Sequence, residues 1–576
     1  MRIRAHDTAT TAAIALGFGV LVVLPLALVL GQAVMPGLVE HADLTPGMAG
    51  LRETFGTARS VTAILHTILL GTVASGCATA LGFAYAMLLA RTDVPCRRLL
   101  SATPWLVFLT PGYLKALAWV LLMSPGGYLE QFGLLPPGAS DAFFGLGGLV
   151  FVHTLNLFPL ACFVIGSAMA GLGGEFEDAA RTVGASPAAA WLRINLPLLG
   201  PAVALAFLAM FAEVASDFGM ASTIARTSDF GLLTYSIYTA TENFPVDFPL
   251  AGSQALVLLA ILSAVLALDR LLRRQRSLRL ISGRSRPARI YRLGQWRWPA
   301  AAAGLLVSAL SVYLPLLSIT ARSVARTLGQ GLVAHNLTWR WVNEALTSGQ
   351  QANVALTRSL GFAALTAVIS GVAALLLAWR LDQVGGALRH GVVALAMGAI
   401  AIPGVVMGLG YILVWNRLPG FVDTGLYGTW PLLVLGYVSA ALPYALVIVL
   451  AAIGQIAPSL NDAARLHGAN AATRLLRITV PLIAGSLVTA ILFVFVRTVF
   501  ELPISQLLQP VAGAPAPAVI VRLFGNDDDG IGSALSLLAI LATGVSAGLA
   551  WVAARRMGRH FWRNGVDSMV GLPGNR

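Results

Sequence analysis

Charge is what this sequence most lacks. Only 11% of its 576 residues are charged, 57% are hydrophobic, and mean hydropathy is +0.79. A soluble domain carries about 25% charged residues. A water-exposed globular fold is therefore excluded and a polytopic membrane protein is indicated. Cysteine is scarce: Cys77, Cys96 and Cys162 show no paired spacing, which excludes a disulfide framework and a cysteine-rich metal site. Lysine is nearly missing. Lys115 is the single one, and Ala116 follows it. A phosphate-cradling loop needs Gly-Lys-Ser/Thr, so this chain does not hydrolyse ATP by that chemistry. There is no His-Glu-x-x-His and no carboxylate cluster of the intramembrane-catalysis kind, and the Gly-x-Ser-x-Gly at Gly544-Val545-Ser546-Ala547-Gly548 lies inside the last apolar run rather than at the end of a strand. No catalytic and no metal-binding residue is assigned, and a membrane-embedded enzyme is disfavoured.

What is present is a series of apolar runs long enough to span a bilayer. They fall at 11–31, 61–90, 99–123, 143–170, 198–216, 250–268, 299–319, 354–379, 391–415, 429–453, 482–500 and 532–553. The first follows Arg2 and Arg4 and lacks a small-residue cleavage site, so it is expected to be an uncleaved helix. The net charge of +13 lies in arginines between the runs. Arg91, Arg97 and Arg98 form one group, ten arginines lie within 269–298, and Arg555, Arg556, Arg559 and Arg563 follow the last run. These are orientation signals rather than a nucleic-acid footprint. They place these segments and both termini in the cytoplasm. The opposite loops carry the acids Glu40, Asp43, Glu53, Glu242 and Asp247. The basic stretch 269–298 reads chiefly as a linker, with a lipid-binding or regulatory element as the alternative.

The chain repeats. Thr67 aligns with Ser359 and Pro111 with Pro403, 292 residues apart. Pro159 aligns with Pro443, Gly184 with Gly468, Pro197 with Pro481 and Asp217 with Glu501, 284 apart. Two constant registers define an all-α plan of about twelve helices in two parallel halves, 1–268 and 299–576.

Between the fourth and fifth runs of each half lies one pattern. It reads Asp178-Ala179-Ala180, Gly184, Ile194-Asn195-Leu196-Pro197, and then Asp462-Ala463-Ala464, Gly468, Ile478-Thr479-Val480-Pro481. The physics is that of a helix–turn–helix along the membrane surface. Phe176, Ala180 and Val183 recur at helical spacing. Ser459 and Asp462 have capping-box spacing. Gly184 and Gly468 suit a left-handed residue that ends the first short helix. Ser186 and Asn470 are expected to cap the next, with Pro187 at its first position in the first half. Pro197 and Pro481 are expected to break the chain before it re-enters the bilayer. Arg181 and Arg465 occupy matched sites, as do Arg193 and Arg477.

This pattern resembles the EAA loop of binding-protein-dependent ABC importer permeases: Glu-Ala-Ala, three residues, Gly, nine residues, Ile-x-Leu-Pro. Both copies fit, with Asp in place of Glu at 178 and 462 and Val480 in place of Leu. The resemblance implies that loops 175–197 and 459–481 are coupling elements for a separate ATPase. It implies two ATP-binding subunits, expected to be a homodimer, which hold the ATP and Mg, so this chain carries no cofactor. It also implies a periplasmic substrate-binding protein, a bacterial inner-membrane location, and alternating access driven by ATP. A twelve-helix secondary transporter would share the topology but would need no such matched hairpins.

Two fused copies resemble ferric-iron permeases in particular, with thiamine, polyamine and phosphonate permeases as relatives. Glu213, Asp217 and Glu501 either line a cation path with oxygen ligands or sit at the membrane edge and pair with Arg226 or Arg497. Lys115 either contacts an anionic substrate or a partner carboxylate, or snorkels to the outer surface. His66 and His153 have no histidine partner in the other half, where Arg358 and Tyr437 stand, and are expected to be packing or hydrogen-bonded residues.

Overall fold

In the computed structural model, residues 2–39, 43–172, 175–225, 230–275, 290–347, 349, 351–384, 386–416, 425–511 and 513–570 are described. Arg226 and the middle of the basic linker, 276–289, lie outside them. The protein is an all-α polytopic membrane protein. Among the described residues the only β pairing is two isolated bridges, Thr92 with Tyr291 and Ala325 with Leu337.

Among the described residues ten helices are long and apolar enough to cross a bilayer, and two further apolar runs are each broken into a bent pair. With each bent pair taken as one span, the described residues give up to twelve, in line with the expected plan of about twelve. Arg97–Leu109 meets Gly112–Gln131 at 101°, and Gly386–Ile400 meets Gly404–Trp415 at 108°. The breaks fall at Pro111-Gly112 and Pro403-Gly404, the pair that aligns in the repeat. A proline ring disfavours helical backbone in the residue before it, and Thr110 is indeed extended, at φ −89°, ψ 126°. Glycine then allows close approach: a Cβ on Gly112 would lie 3.0 Å from Asn156 Nδ2, and one on Gly404 would lie 3.1 Å from Glu501 Oε1. Pro25, Pro104, Pro159, Pro201 and Pro443 all stay inside helices. Proline alone does not break these spans; Pro-Gly does.

Pro197 and Pro481 do not break the chain either, contrary to expectation. Each is preceded by a π-helical turn, Trp191–Asn195 and Leu475–Thr479, that runs unbroken into helices Leu196–Ser216 and Val480–Val499. A third π turn, Ala309–Tyr313, precedes Pro315 in the same way. The N–H before each proline bonds five residues back: Leu196 to Trp191, Val480 to Leu475 and Leu314 to Ala309. Proline cannot donate the four-back bond and its ring crowds that carbonyl. The wider turn accommodates both problems without a kink.

Packing divides the chain into two compact units, Gly47–Trp341 and Met1–Pro46 with Val342–Arg576. The division differs from that of the sequence repeat, because the first helix of each half joins the other half's helices. Within one unit, helix Arg2–Val34 lies against Gly404–Asn416. Tyr411 donates to the Leu21 carbonyl at 3.1 Å, and a Cβ on Gly410 would sit 2.7 Å from the Pro25 oxygen. Within the other, Ser308 bonds Thr103 Oγ1 at 2.8 Å and lies 3.3 Å from Tyr85 Oη. Helix Ala58–Arg91 crosses Leu146–Gly171 at Gly82, where a Cβ would be 2.4 Å from that of Ala161. Leu65, Ile68, Leu69 and Val73 of the same helix face outward. That stripe of exposed apolar side chains is what a lipid-facing surface presents.

Candidate functional site

The two hairpins adopt matched backbones. In the first, helix Glu175–Thr182 ends at Gly184, whose φ is +80°, and the Ala185 N–H reaches the Ala180 carbonyl at 3.0 Å. In the second, helix Pro458–Leu466 ends at Gly468 with φ +75°. There Gly468 N–H bonds Arg465 O at 3.0 Å and Ala469 N–H bonds Ala464 O at 3.0 Å. The second set is a Schellman motif with glycine in its left-handed position. Both expected caps form: Ser186 Oγ accepts from Ala189 N at 3.2 Å, and Asn470 Oδ1 from Thr473 N at 2.8 Å. The Ser459–Asp462 capping box does not form. The helix starts earlier, with Pro458 at its first position, where proline's fixed φ and missing N–H cost nothing. Asp462 instead lies 3.9 Å from Arg465, both exposed.

Several expected docking residues are open to contact. Asp178, Asp462, Ala463 and Pro197 are exposed, and Ala464, Ile194, Ile478 and Pro481 are half-buried. Ala180 is buried, while the side chains of Ala179 and Arg181 lie outside the description. The apolar face of the first helix is only partly covered. Phe176 and Val183 stay exposed beside buried Ala180, and Leu460 and Leu466 are exposed in the second hairpin. Neighbouring large apolar groups left uncovered suit a protein partner.

The first hairpin also carries a residue that motif reading missed. Glu177, 4% exposed, accepts from Asn195 Nδ2 at 2.8 Å and from Tyr291 Oη at 2.7 Å, and lies 3.6 Å from Arg91 Nη1. Arg91 in turn donates from Nη2 to the Met169 and Leu172 carbonyls, at 3.0 and 2.9 Å, at the end of helix Leu146–Gly171. Removing one partner of such a buried pair strands the other charge, at roughly 3–5 kcal/mol. An acid beside the Asp-Ala-Ala run is the only local signal; its partners are far away in sequence.

The candidate path residues are held by backbone. Asp217 Oδ2 accepts from Met220 N at 2.8 Å and lies 3.6 Å from His153 Nε2. Glu501 accepts from Ile504 N at 3.0 Å and Ser505 N at 3.1 Å. Each carboxylate therefore serves the first turn of a short helix, Gly219–Thr223 or Pro503–Leu507, where unpaired N–H groups favour an anion. Arg497 is exposed and stacks over Tyr444, its guanidinium 4.3 Å from the ring centre. Glu213 is exposed on helix Leu196–Ser216. Lys115 is 3% exposed, and its ammonium donates to the Val107 carbonyl at 2.8 Å. It closes the C-terminal end of the first arm of a broken span, where a cation is favoured. Among the described residues no three His, Cys, Asp or Glu side chains come together as a metal site. His66 stacks on Phe230 with ring centres 3.8 Å apart, and His153 Nδ1 lies 2.8 Å from the Leu149 carbonyl. The repeat pair Thr67 and Ser359 has a physical role. Each hydroxyl accepts the first N–H of a short helix, from Leu233 at 3.0 Å and from Ala516 at 2.7 Å.

Residues 370–559, which include the second hairpin, match the family model of the binding-protein-dependent transport system inner membrane component. Over 431 residues the chain is 24% identical to a putative ferric transport system permease protein of Haemophilus influenzae, covering 73% of this chain and 66% of that one. It is 22% identical over 457 residues to a ferric transport system permease protein of Actinobacillus pleuropneumoniae, covering 78% and 64%. A sulfate transport system permease protein of Salmonella typhimurium is 29% identical over 204 residues, 35% of this chain and 72% of its own. The chain thus spans just under two thirds of the length of the two ferric relatives. It resembles the inner-membrane permeases of ABC importers, and ferric-iron permeases among them.

Proposed function

We propose, from that resemblance as premise, that this chain is the permease of an ATP-driven importer and that each hairpin docks one copy of a separate ATPase. The observation that carries the reading is the pair of hairpins. Their left-handed glycines, caps and π turns recur 284 residues apart, and exposed apolar side chains lie on both. Duplicated geometry of this kind suits two identical partners. A partner seated on Phe176 and Val183 and on Leu460 and Leu466 would transmit its own closure to helices Leu196–Ser216 and Val480–Val499, because no break separates hairpin from helix. The hairpins and both termini face the cytoplasm in this reading, and a periplasmic binding protein delivers substrate to the other side.

Ferric iron is the proposed cargo, supported by the relatives' names. Two of the three acids that could have lined a cation path, Asp217 and Glu501, serve helix ends instead, so the reading assigns this chain a passage rather than a tight binding site. The test is ATP-dependent uptake in proteoliposomes that hold this chain and its ATPase, with iron-loaded binding protein outside. Iron uptake that needs all three components is expected. ATP hydrolysis by the pure chain would overturn the permease reading. Uptake of sulfate, phosphonate, thiamine or a polyamine in place of iron would overturn the cargo alone.

A further inference from the structure

The two hairpins share a backbone but not an anchorage. At Glu177 four segments meet: the end of helix Ala58–Arg91, the hairpin helix Glu175–Thr182, the π turn Trp191–Asn195, and residues 290–293, where the chain emerges from the linker. The emerging strip is itself fixed. Tyr291 N–H donates to Arg91 O at 2.7 Å, Asp93 N–H to Tyr291 O at 3.3 Å, and Leu293 N–H to Asp93 Oδ1 at 2.8 Å. Four residues past Leu293 begins helix Arg297–Ser308, the start of the next span. Tyr291 is thus tied on one side to that span by a few covalent bonds, and on the other to the hairpin by its hydroxyl.

The second hairpin has neither the acid nor the amide. At the positions 284 further on stand Asn461 and Thr479, and Asn461 Oδ1 and Thr479 Oγ1 are buried without a hydrogen-bond partner. Beside them, between helix Pro458–Leu466 and the base of Val480–Val499, lies a cavity of about 260 Å³ lined by Ala452, Gln455, Leu460, Leu482 and Ser486. Arg91 Nε and Trp191 Nε1 are likewise buried without a hydrogen-bond partner at the first hairpin, so what sets the second apart is the missing acid–hydroxyl contact and the unfilled space, which lowers the cost of local movement.

We infer that Glu177 and Tyr291 are positioning residues that clamp the first hairpin to the exit of the inter-half linker, so that the first hairpin is held and the second is free to shift. The inference goes beyond the docking role and rests on it only for its consequence in transport. In the importer, the clamp makes the first hairpin follow the span that begins at Arg297, while the second follows its ATPase alone.

The test is hydrogen exchange on the full chain in lipid nanodiscs, read for peptides covering 175–195 and 458–479. The first hairpin is expected to exchange about tenfold or more slowly than the second, in line with one charge-assisted hydrogen bond. Tyr291→Phe keeps the ring and removes only the hydroxyl. It should erase most of that difference by speeding the first hairpin and leaving the second unchanged. Glu177→Gln keeps an acceptor for Tyr291 but loses the charge, and should fall between. If Glu177→Gln does not accumulate, Tyr291→Phe decides alone. Equal protection of the two hairpins, or no change in Tyr291→Phe, overturns the clamp. Capture of the ATPase by the same variants separates the two ideas. A loosened first hairpin with undiminished capture and transport upholds the clamp and counts against docking at that hairpin.

Discussion

Gly184 and Gly468 are constrained by backbone and by nothing else. Their φ values are +80° and +75°, and a Cβ at either would meet no atom within 4 Å. A β-branched residue there strains the turn by on the order of 1–3 kcal/mol without a clash. Gly468→Val is therefore expected to insert and accumulate normally while losing ATPase capture and transport; an abundance blot beside a pull-down and an uptake assay checks this. Normal transport by both Gly184→Val and Gly468→Val would remove the hairpins from the coupling role. Glu501 allows a sharper contrast. Its carboxylate holds first-turn N–H groups, so Glu501→Gln, which keeps an acceptor oxygen, should transport within a few-fold of the parent. Glu501→Ala should lose about 1 kcal/mol of local stability, as a lost cap does. Uptake rates and thermal melts of the two variants test it. Loss of transport in Glu501→Gln at full stability would instead make the charge a part of the path.

At the scale of elements, helix contacts turn on small residues. A side chain on Gly82 would meet Phe158 O at 2.6 Å and Ala161 Cβ at 2.4 Å, whereas one on Gly76, in the same helix, would meet nothing within 4 Å. Both positions pay the same intrinsic helix propensity, so a difference between them reports packing. Gly82→Val should lower membrane abundance severely, since overpacking costs roughly 1–3 kcal/mol or more where backbone is the obstacle. Gly76→Val should accumulate as the parent does. Equal abundance of the two variants would mean that helices Ala58–Arg91 and Leu146–Gly171 do not cross at Gly82.

For the whole molecule, the exchange of first helices makes each sequence half depend on the other. Helix Arg2–Val34 packs on Gly404–Asn416, and Ser308 bonds Thr103 in the opposite direction. Fragments 1–268 and 299–576 expressed singly should therefore be degraded, and co-expressed should recover abundance together. Stable accumulation of either alone would contradict the exchange. Topology is a separate expectation from the arginine pattern: reporters fused after Arg98, Arg276 and Arg559 should all signal cytoplasm. An external signal at Arg276 would break the two-half plan.

The sequence by itself determined the properties that composition, period and local dihedrals carry. Scarcity of charge gave the membrane class, and two constant registers gave the repeat. Residue type gave the left-handed glycines and the caps at Ser186 and Asn470, because a turn only a few residues long is decided by those residues. Where two local readings competed, the sequence misled. Ser459 and Asp462 had capping spacing, but Pro458 started the helix first. Pro111 and Pro403 fall inside apolar runs 99–123 and 391–415 that composition alone leaves continuous, although the glycine after each was the available signal. Only the tertiary structure decided that π turns absorb Pro197 and Pro481, that Lys115 closes a half-helix, and that Glu177 is clamped in one hairpin alone. It also decided which helices each first span joins. Those outcomes rest on contacts such as Tyr291 to Glu177, 114 residues apart, and Tyr411 to Leu21, 390 apart. No local pattern encodes such a contact, because its stabilisation appears only once packing has paid the entropy of closing the loop between its ends.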